Sequence, residues 1–305
     1  MPGGGPDPRA VTAMAKAITF EERRWRSRDG LSLYARDYPA VGGEQGLPVI
    51  CLHGLTRNSK DFEDLAPIIA GWGRRVIAPD VRGRGRSDYD PHPNHYQPKI
   101  YARDVIEMMA GLGISRALFL GTSMGGIITM TMMAARPGAV VAAILNDVGP
   151  EVAPEGIARI LSYAGKRVEI RDWADAANYV RLTNSVAQPH FTEDDWRRFA
   201  ERTFREGANG PELDYDPAIG VVLARPPSKA SLWLAGFLFR RLARKRPTLL
   251  IRGETSDIIS SAIAGRMQRM APLMQRLDVP GVGHAPTLSE PEAVDAIEQF
   301  LRTVP

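Results

Sequence analysis

One serine in this chain stands in a setting that favours nucleophilic chemistry. Ser123 lies in the segment Gly-Thr-Ser-Met-Gly-Gly, residues 121–126, after an apolar run and before residues 127–135, which contain no helix breaker. This pattern predicts a sharp turn from a strand into a helix, and the glycines on either side of the serine leave room for that turn. The turn would hold the Ser123 hydroxyl above a sheet, so Ser123 is a candidate nucleophile. The backbone N–H of Met124, at the helix N-terminus, is a candidate donor to an oxyanion.

Three further segments follow apolar, strand-like runs and could complete such a site. A loop begins at His53, and the N–H of Leu55 is predicted to be the second oxyanion donor. Asp257 comes shortly after the run at residues 248–252 and is the predicted acid. His284 lies on a loop before a C-terminal helical segment and is the predicted base. His53 itself is expected to make a structural hydrogen bond.

The elements that must position these residues alternate along the chain. Two strands around residues 28–30 predict an antiparallel hairpin at a sheet edge. Six later strands, starting near residues 49, 75, 117, 140, 248 and 274, alternate with helical stretches. This order predicts a doubly wound, mostly parallel sheet whose active residues gather at the carboxyl ends of the strands.

Domain boundaries follow from the same pattern. Residues 16–148 and 247–305 form the predicted core, residues 149–246 a helical cap, and residues 1–15 a flexible tail. The cap segment is rich in aromatic residues, which indicates an apolar pocket beneath it. A cap that excludes water favours a small or medium acyl substrate.

Taken together, these motifs resemble those of the α/β-hydrolases, in the group of serine esterases and carbon–carbon hydrolases with a helical cap. The resemblance rests on His53-Gly54, residues 80–87, residues 121–126, residues 253–257 and Gly283-His284. It implies an α/β-hydrolase fold and a catalytic triad of Ser123, Asp257 and His284. Some members carry the acid one strand earlier, so Asp147 is the competing candidate; the Gly-x-x-x-Asp spacing favours Asp257.

The resemblance implies hydrolysis of a largely apolar carboxylic ester, lactone or thioester through an acyl-enzyme. Carbon–carbon hydrolysis of vinylogous diketones is an alternative, although the oxyanion loop of those enzymes usually reads His-Gly-x-Gly-Pro-Gly, unlike residues 53–58 here. A ligand-binding receptor with this fold is the alternative from another class. The predicted chemistry needs no cofactor and no metal; His92 and His95 lie in a proline-rich loop without further ligands.

Composition indicates an ordinary globular protein. The net charge of +4 over 305 residues is too small to imply nucleic-acid binding, and no apolar stretch is long enough to predict stable membrane insertion. The single cysteine, Cys51, suits a reducing compartment, so a cytoplasmic location and a small-molecule substrate are expected. The basic run at residues 240–246 is expected to end a helix, with an acidic partner or a membrane surface as the alternative. The oligomeric state stays open.

Overall fold

The computed structural model describes residues 19–225 and 228–305. The predicted tail, residues 1–15, lies outside the described residues. A central sheet has eight strands: β1 (Glu21–Arg26), β2 (Ser32–Tyr38), β3 (Val49–Leu52), β4 (Val76–Asp80), β5 (Ala117–Thr122), β6 (Val140–Asn146), β9 (Thr248–Gly253) and β10 (Gln275–Val279). Their order across the sheet is β1-β2-β4-β3-β5-β6-β9-β10.

The sheet is parallel except at one edge. Strand β2 pairs antiparallel with both β1 and β4, and the remaining neighbours are parallel. Strands β3, β4, β6 and β9 are buried along their whole length. Burial on both faces explains why these segments read as continuous apolar runs rather than as alternating ones. The predicted fold class is confirmed.

Helices cover both faces of the sheet. The core helices are α1 (Leu65–Gly71), α2 (Pro98–Gly111), α3 (Met124–Ala135), α9 (Ser261–Met270) and α10 (Pro291–Arg302). Ile50 and Leu52 of β3 face the apolar core formed with α2, α3 and α9, whereas Val49 and Cys51 face the core formed with α1 and α10. The alternation of side chains along a strand thus sends successive β3 residues to two separate cores.

The chain between β6 and β9 is mainly helical. It contains α4 (Pro154–Tyr163), α5 (Trp173–Asn184), α6 (Glu193–Thr203), α7 (Gly220–Leu223) and α8 (Lys229–Ala243), together with a hairpin of β7 (Phe204–Gly207) and β8 (Gly210–Leu213). Val180, Trp196 and Phe204 form a small apolar core of their own. Leu238 and Phe239 of α8 instead pack into the main core beside α3. The division into a core and a cap at residues 149–246 stays a prediction; α8 lies inside the predicted cap segment but packs against the main core.

Within the described part of the chain, none of the helices has the length and apolarity required to cross a membrane.

Candidate active site

The turn at Ser123 has the geometry that the sequence predicted. Ser123 has φ 50° and ψ −113°, a backbone conformation that is strained for a residue with a β-carbon. A β-carbon on Gly125 would stand 2.0 Å from the carbonyl oxygen of Leu52, and one on Gly121 would stand 2.4 Å from the Gly125 carbonyl carbon. Only glycine fits at these positions, so the sequence forces the chain to turn sharply and presents Ser123 at the end of β5.

Ser123 and His284 meet at the carboxyl ends of the strands. The Nε2 atom of His284 lies 3.0 Å from Ser123 Oγ, and its Nδ1 atom lies 2.7 Å from Asp147 Oδ2. The His284 side chain is 9% exposed and that of Asp147 is fully buried. Asp147 also accepts hydrogen bonds from Gly253 N–H at 3.0 Å and from the Ser256 hydroxyl at 2.5 Å. These donors hold the carboxylate in one orientation beneath the imidazole.

The structure places Asp257 differently from the sequence-based assignment. Its carboxylate forms a two-point ion pair with Arg159 of α4, with Oδ2 2.5 Å from Nε and Oδ1 2.8 Å from Nη2. Burial alone would raise the pKa of Asp257, but the hydrogen bonds and charge of Arg159 outweigh it and hold that pKa below its usual value. The carboxylate bonded to His284 is therefore that of Asp147, and the choice of Asp257 as the acid partner is corrected on this geometry.

The two predicted oxyanion donors flank Ser123. Met124 is the first residue of α3, where a backbone N–H has no acceptor within the helix. Neither Met124 N–H nor Leu55 N–H donates a hydrogen bond to another of the described residues. A β-carbon built on Gly54 would lie 4.0 Å from Ser123 Cβ, so the loop that carries Leu55 approaches the serine closely. Both N–H groups therefore lack an acceptor within the described part of the chain, as the predicted role requires.

Arg84 is a buried residue of this region whose role the sequence analysis did not identify. Its Nε donates to the carbonyl oxygen of Leu55 at 2.9 Å, and its Nη2 lies 3.6 Å from Met124 Sδ. Nη1 donates to Tyr101 Oη at 3.0 Å. Arg84 therefore ties together the two residues proposed to hold the oxyanion. The available signal was the Asp-x-Arg-Gly-x-Gly segment, residues 80–85, which the sequence analysis used only for the family resemblance.

His53 supports the same loop from beneath. Its Nε2 accepts a hydrogen bond from Val81 N–H at 3.0 Å, and its Nδ1 donates to the Gly54 carbonyl oxygen over 2.7 Å. These partners require the neutral ring with its proton on Nδ1. Burial lowers the pKa of His53 to about 4, so the ring stays neutral at physiological pH. The structure thus gives His53 the structural hydrogen bonds that were expected.

A cavity of about 140 Å³ adjoins Ser123 and His284. Its walls combine the turn at residues 54–57 with side chains from the helical insertion, which include Ile160, Tyr163, Tyr179, Val180, Phe199, Leu213 and Tyr215. Four aromatic residues of the segment predicted as a cap therefore line this cavity, namely Tyr163, Tyr179, Phe199 and Tyr215. Trp233, in the same segment, does not line it and is 66% exposed.

Polar contacts hold the helical insertion over this cavity. Asn58 Nδ2 donates to Asp214 Oδ2 at 3.0 Å, and Lys60 Nζ donates to the carbonyl oxygen of Glu201 at 2.8 Å. Arg202 forms an ion pair with Glu63 at 2.9 Å. The Arg159–Asp257 pair makes a further link between insertion and core. The helical insertion is therefore tied to the core at several points around the cavity.

A second cavity, of about 190 Å³, shares Tyr163, Thr183 and His284 with the first. Arg159 and Asp257 belong to its walls. Two spaces thus meet at the histidine, one on the side of the oxyanion loop and one on the side of the Arg159–Asp257 pair.

One group of side chains away from the serine has metal-ligand character. Asp29, Asp90 and His95 bring one potential ligand atom each within 4.8 Å of the others. The buried guanidinium of Arg82 already donates to Asp29 at 2.9 Å and to Asp90 at 2.5 Å. Because a cation occupies the position next to these carboxylates, their arrangement is that of an ion-pair network and supports no metal assignment.

Fold and site together define a class of protein. The model of the alpha/beta hydrolase family matches residues 49–297, and the chain belongs to that family. Its eight-stranded sheet, the turn at Ser123 and the loop that carries His284 all lie within or around the matched span.

Among particular relatives, the chain is 33% identical over 257 residues to the 3-hydroxybutyrate-oligomer hydrolase of Cupriavidus necator, which covers 83% of this chain and 87% of that protein. It is 26% identical over 261 residues to the 2-(acetamidomethylene)succinate hydrolase of Mesorhizobium japonicum, covering 83% and 87% respectively. A solved α/β-hydrolase structure from Novosphingobium aromaticivorans superposes with a TM-score of 0.85 at 42% identity, covering 93% of this chain and 99% of that one. These relatives are hydrolases, which supports a hydrolase activity for this chain.

Proposed function

We propose that this protein is a serine hydrolase that cleaves short-chain carboxylic esters through Ser123, His284 and Asp147. The observation that carries the proposal is the pair of hydrogen bonds at His284, one to Ser123 Oγ at 3.0 Å and one to Asp147 Oδ2 at 2.7 Å. Both lie within the reach that proton transfer from a nucleophile to a base requires.

The mechanism follows from these contacts. His284 Nε2 takes the proton of Ser123 as its oxygen attacks the ester carbonyl carbon, and the N–H groups of Leu55 and Met124 stabilise the oxyanion. The protonated His284 returns the proton to the leaving alcohol, while Asp147 stabilises the imidazolium. A water molecule activated by His284 then hydrolyses the acyl-serine.

Cavity size supports a short acyl group. An apolar cavity of about 150 Å³ accommodates benzene, with its six heavy atoms. The cavity beside Ser123 measures about 140 Å³, and a 3-hydroxybutyryl group also has six heavy atoms. The relative from Cupriavidus necator is named for 3-hydroxybutyrate oligomers. We therefore propose short hydroxyacyl esters as the preferred class, with the acyl group in the first cavity and the leaving alcohol in the second.

The test combines trapping with a substrate comparison. Incubation with p-nitrophenyl acetate should leave an acyl group on Ser123, visible by mass spectrometry of the peptide that contains it. Ser123→Ala should fold normally and lose turnover by a factor on the order of 10³ or more. A variant that retains a tenth of the wild-type rate would refute the nucleophile.

Substrate class is tested with linear dimers of 3-hydroxybutyrate, p-nitrophenyl butyrate and a vinylogous diketone. We expect both esters to be turned over and the diketone not to be. Faster turnover of the diketone would establish carbon–carbon hydrolysis instead. Stoichiometric acylation without turnover of any compound would establish a receptor.

A further inference from the structure

Helix α8 leaves an apolar surface exposed. Leu232, Trp233, Leu234 and Phe237 are 51%, 66%, 45% and 41% exposed, respectively. The rings of Trp233 and Phe237 stack on each other, with centroids 5.7 Å apart and planes within 9° of parallel. Two large aromatic rings that stack together and face solvent are a costly arrangement for a helix without a partner. They lie outside both cavities at the proposed active site.

Cations continue the same helix face. Counted from Trp233, Phe237 is four residues on, Arg240 seven and Arg244 eleven, and this spacing places all four on one side of an α-helix. The opposite side carries Leu238, Phe239, Leu242 and Ala243, which are buried against the core. Helix α8 is thus anchored by one side and presents aromatic rings followed by guanidinium groups on the other.

The charge of this region is one-sided. Residues 217–253 contain no aspartate or glutamate and eight cations, namely Arg225, Lys229, Arg240, Arg241, Arg244, Lys245, Arg246 and Arg252. The remainder of the chain then carries 31 basic and 35 acidic residues out of the totals of 39 and 35, so it is acidic overall. Arg252 is buried in β9 and pairs with Asp278, whereas Arg240, Arg241 and Lys245 have no carboxylate partner among the described residues. In the part of the chain that the structure describes, Arg244 and Arg246 donate only to backbone carbonyl oxygens, those of Met270, Val140 and Lys245, which leaves their charge uncompensated.

We propose that this face of α8, with Leu232, Trp233, Leu234 and Phe237 as its apolar part and Arg240, Arg241, Arg244 and Lys245 as its basic part, docks the protein on an anionic phospholipid surface. Apolar side chains would enter the interfacial layer, where tryptophan is favoured, while the arginines pair with lipid phosphates and carboxylates. The helix would lie on the surface and not cross it. A two-fold contact between copies is disfavoured, because it would bring the same cation-rich face together with itself without an acidic group to neutralise it.

The experiment is co-sedimentation of the full chain with vesicles of phosphatidylcholine alone or with about one third phosphatidylserine. Binding is expected to the anionic vesicles and is expected to fall as salt is raised. Each removed cation should weaken binding about fivefold, so Arg240→Gln/Arg241→Gln should cost about 30-fold. Trp233→Ala/Phe237→Ala should weaken binding by at least about tenfold.

Matched controls lie elsewhere on the surface. Arg197→Gln/Arg198→Gln removes the same net charge from α6, where both side chains are exposed. Val41→Ala/Leu273→Ala removes apolar groups that are 38% and 88% exposed and that line neither cavity at the proposed active site. Both control pairs should bind vesicles as the wild type does, and all four double variants should hydrolyse a soluble ester at the wild-type rate.

Three outcomes would overturn the proposal. The first is equal binding to neutral and anionic vesicles, or no binding to either. The second is an equal loss of binding in the α6 charge variant, which would make net charge alone responsible. The third is a wild-type dimer in solution that dissociates in Trp233→Ala/Phe237→Ala, which would assign the face to a second copy of the chain.

Discussion

Replacing Asp147 by asparagine should nearly abolish turnover while leaving the fold in place. The carboxylate is fully buried and accepts hydrogen bonds from Gly253, Ser256 and His284. An asparagine that kept its carbonyl oxygen toward Gly253 N–H would turn its amide N–H₂ toward the ring. His284 Nδ1 would then accept a hydrogen bond, and the ring proton would move to Nε2, facing Ser123. In that tautomer His284 cannot take the serine proton.

The expected loss is about 10⁴ in kcat, which corresponds to about 5.4 kcal/mol on the activation barrier. Asp257→Asn is the matched control. This change removes the ion pair between Arg159 and Asp257, whose side chains are 24% and 31% exposed, respectively. A partly exposed pair of this kind contributes about 0–1 kcal/mol. We therefore expect Asp257→Asn to change kcat no more than a few-fold and the melting temperature by a few degrees.

Both variants should be assayed by burst kinetics with p-nitrophenyl butyrate, with near-ultraviolet circular dichroism to confirm native packing. If Asp257→Asn were the slower enzyme by about 10³ while Asp147→Asn stayed near the wild-type rate, the assignment of the acid from geometry would be refuted. Equal and large losses in both would show that the Arg159–Asp257 pair also positions His284.

Three further results follow from the same structure. Burial lowers the pKa of His53 to about 4, so below pH 6.5 the unfolded chain takes up a proton on this ring that the native chain does not. The free energy of unfolding should therefore fall by about 2 kcal/mol from pH 7 to pH 5, as measured by urea unfolding. His53→Asn should remove that pH dependence. Gly125→Ala should prevent native folding, because its methyl group would lie 2.0 Å from the Leu52 carbonyl oxygen. A β-carbon on Gly236 of α8 would instead meet no neighbouring group within 4 Å. Gly236→Ala should therefore stabilise the protein by up to about 1 kcal/mol in thermal unfolding. Across p-nitrophenyl esters, kcat/KM should rise about fourfold per methylene to about C4 and fall beyond about C6; a flat profile would contradict a cavity of about 140 Å³ as the acyl site.

Strands, core helices and the turn at Ser123 could be predicted because each depends on a local pattern. Strand β5 was expected to start near residue 117 and runs Ala117–Thr122; a C-terminal helix was expected after His284, and α10 is found at Pro291–Arg302. Buried parallel strands are short apolar runs. The glycines around Ser123 are required because a β-carbon on Gly121 or Gly125 would clash with nearby backbone atoms. None of these features depends on how distant parts of the chain pack.

The choice between the two acids was not local. Asp147 and Asp257 both follow apolar strands, and both stand at the same edge of the sheet. What separates them is the direction of the side chain: Asp147 has φ 52° and turns inward over β9, whereas Asp257 faces α4 and pairs with Arg159. The partner Arg159 lies about a hundred residues away in sequence, in the helical insertion, so spacing alone could not reveal it.

The sequence predicted a helical cap with an apolar pocket beneath it, but not which residues line that pocket. The reason is again that the lining depends on how distant parts of the chain pack. Tyr163, Tyr179 and Trp233 are all aromatic residues on helices, yet the first two line the cavity and the third faces solvent. An aromatic residue signals burial only on average, and a helix whose apolar face is left outside the fold gives the same sequence pattern as one that packs inside. The charge pattern of residues 217–253 was the feature that distinguished α8, since a segment with eight cations and no acid does not balance its own charge.

Strand order explains why the carboxylate next to His284 is that of Asp147, although a later acid was expected. Strand β6 lies between β5, which leads to Ser123, and β9, which leads to Asp257, while His284 follows β10 at the sheet edge. A histidine loop that reaches back across β9 to the serine must pass over the end of β6, because that strand is the neighbour of β5. An acid at the end of β6 therefore meets the imidazole closest to the nucleophile, and Gly253 and Ser256, just after β9, are placed to hold it. The position after β9 is thereby free for Asp257 to pair with Arg159 and tie α4 to the core, so under the proposed mechanism Asp147 alone would orient the base.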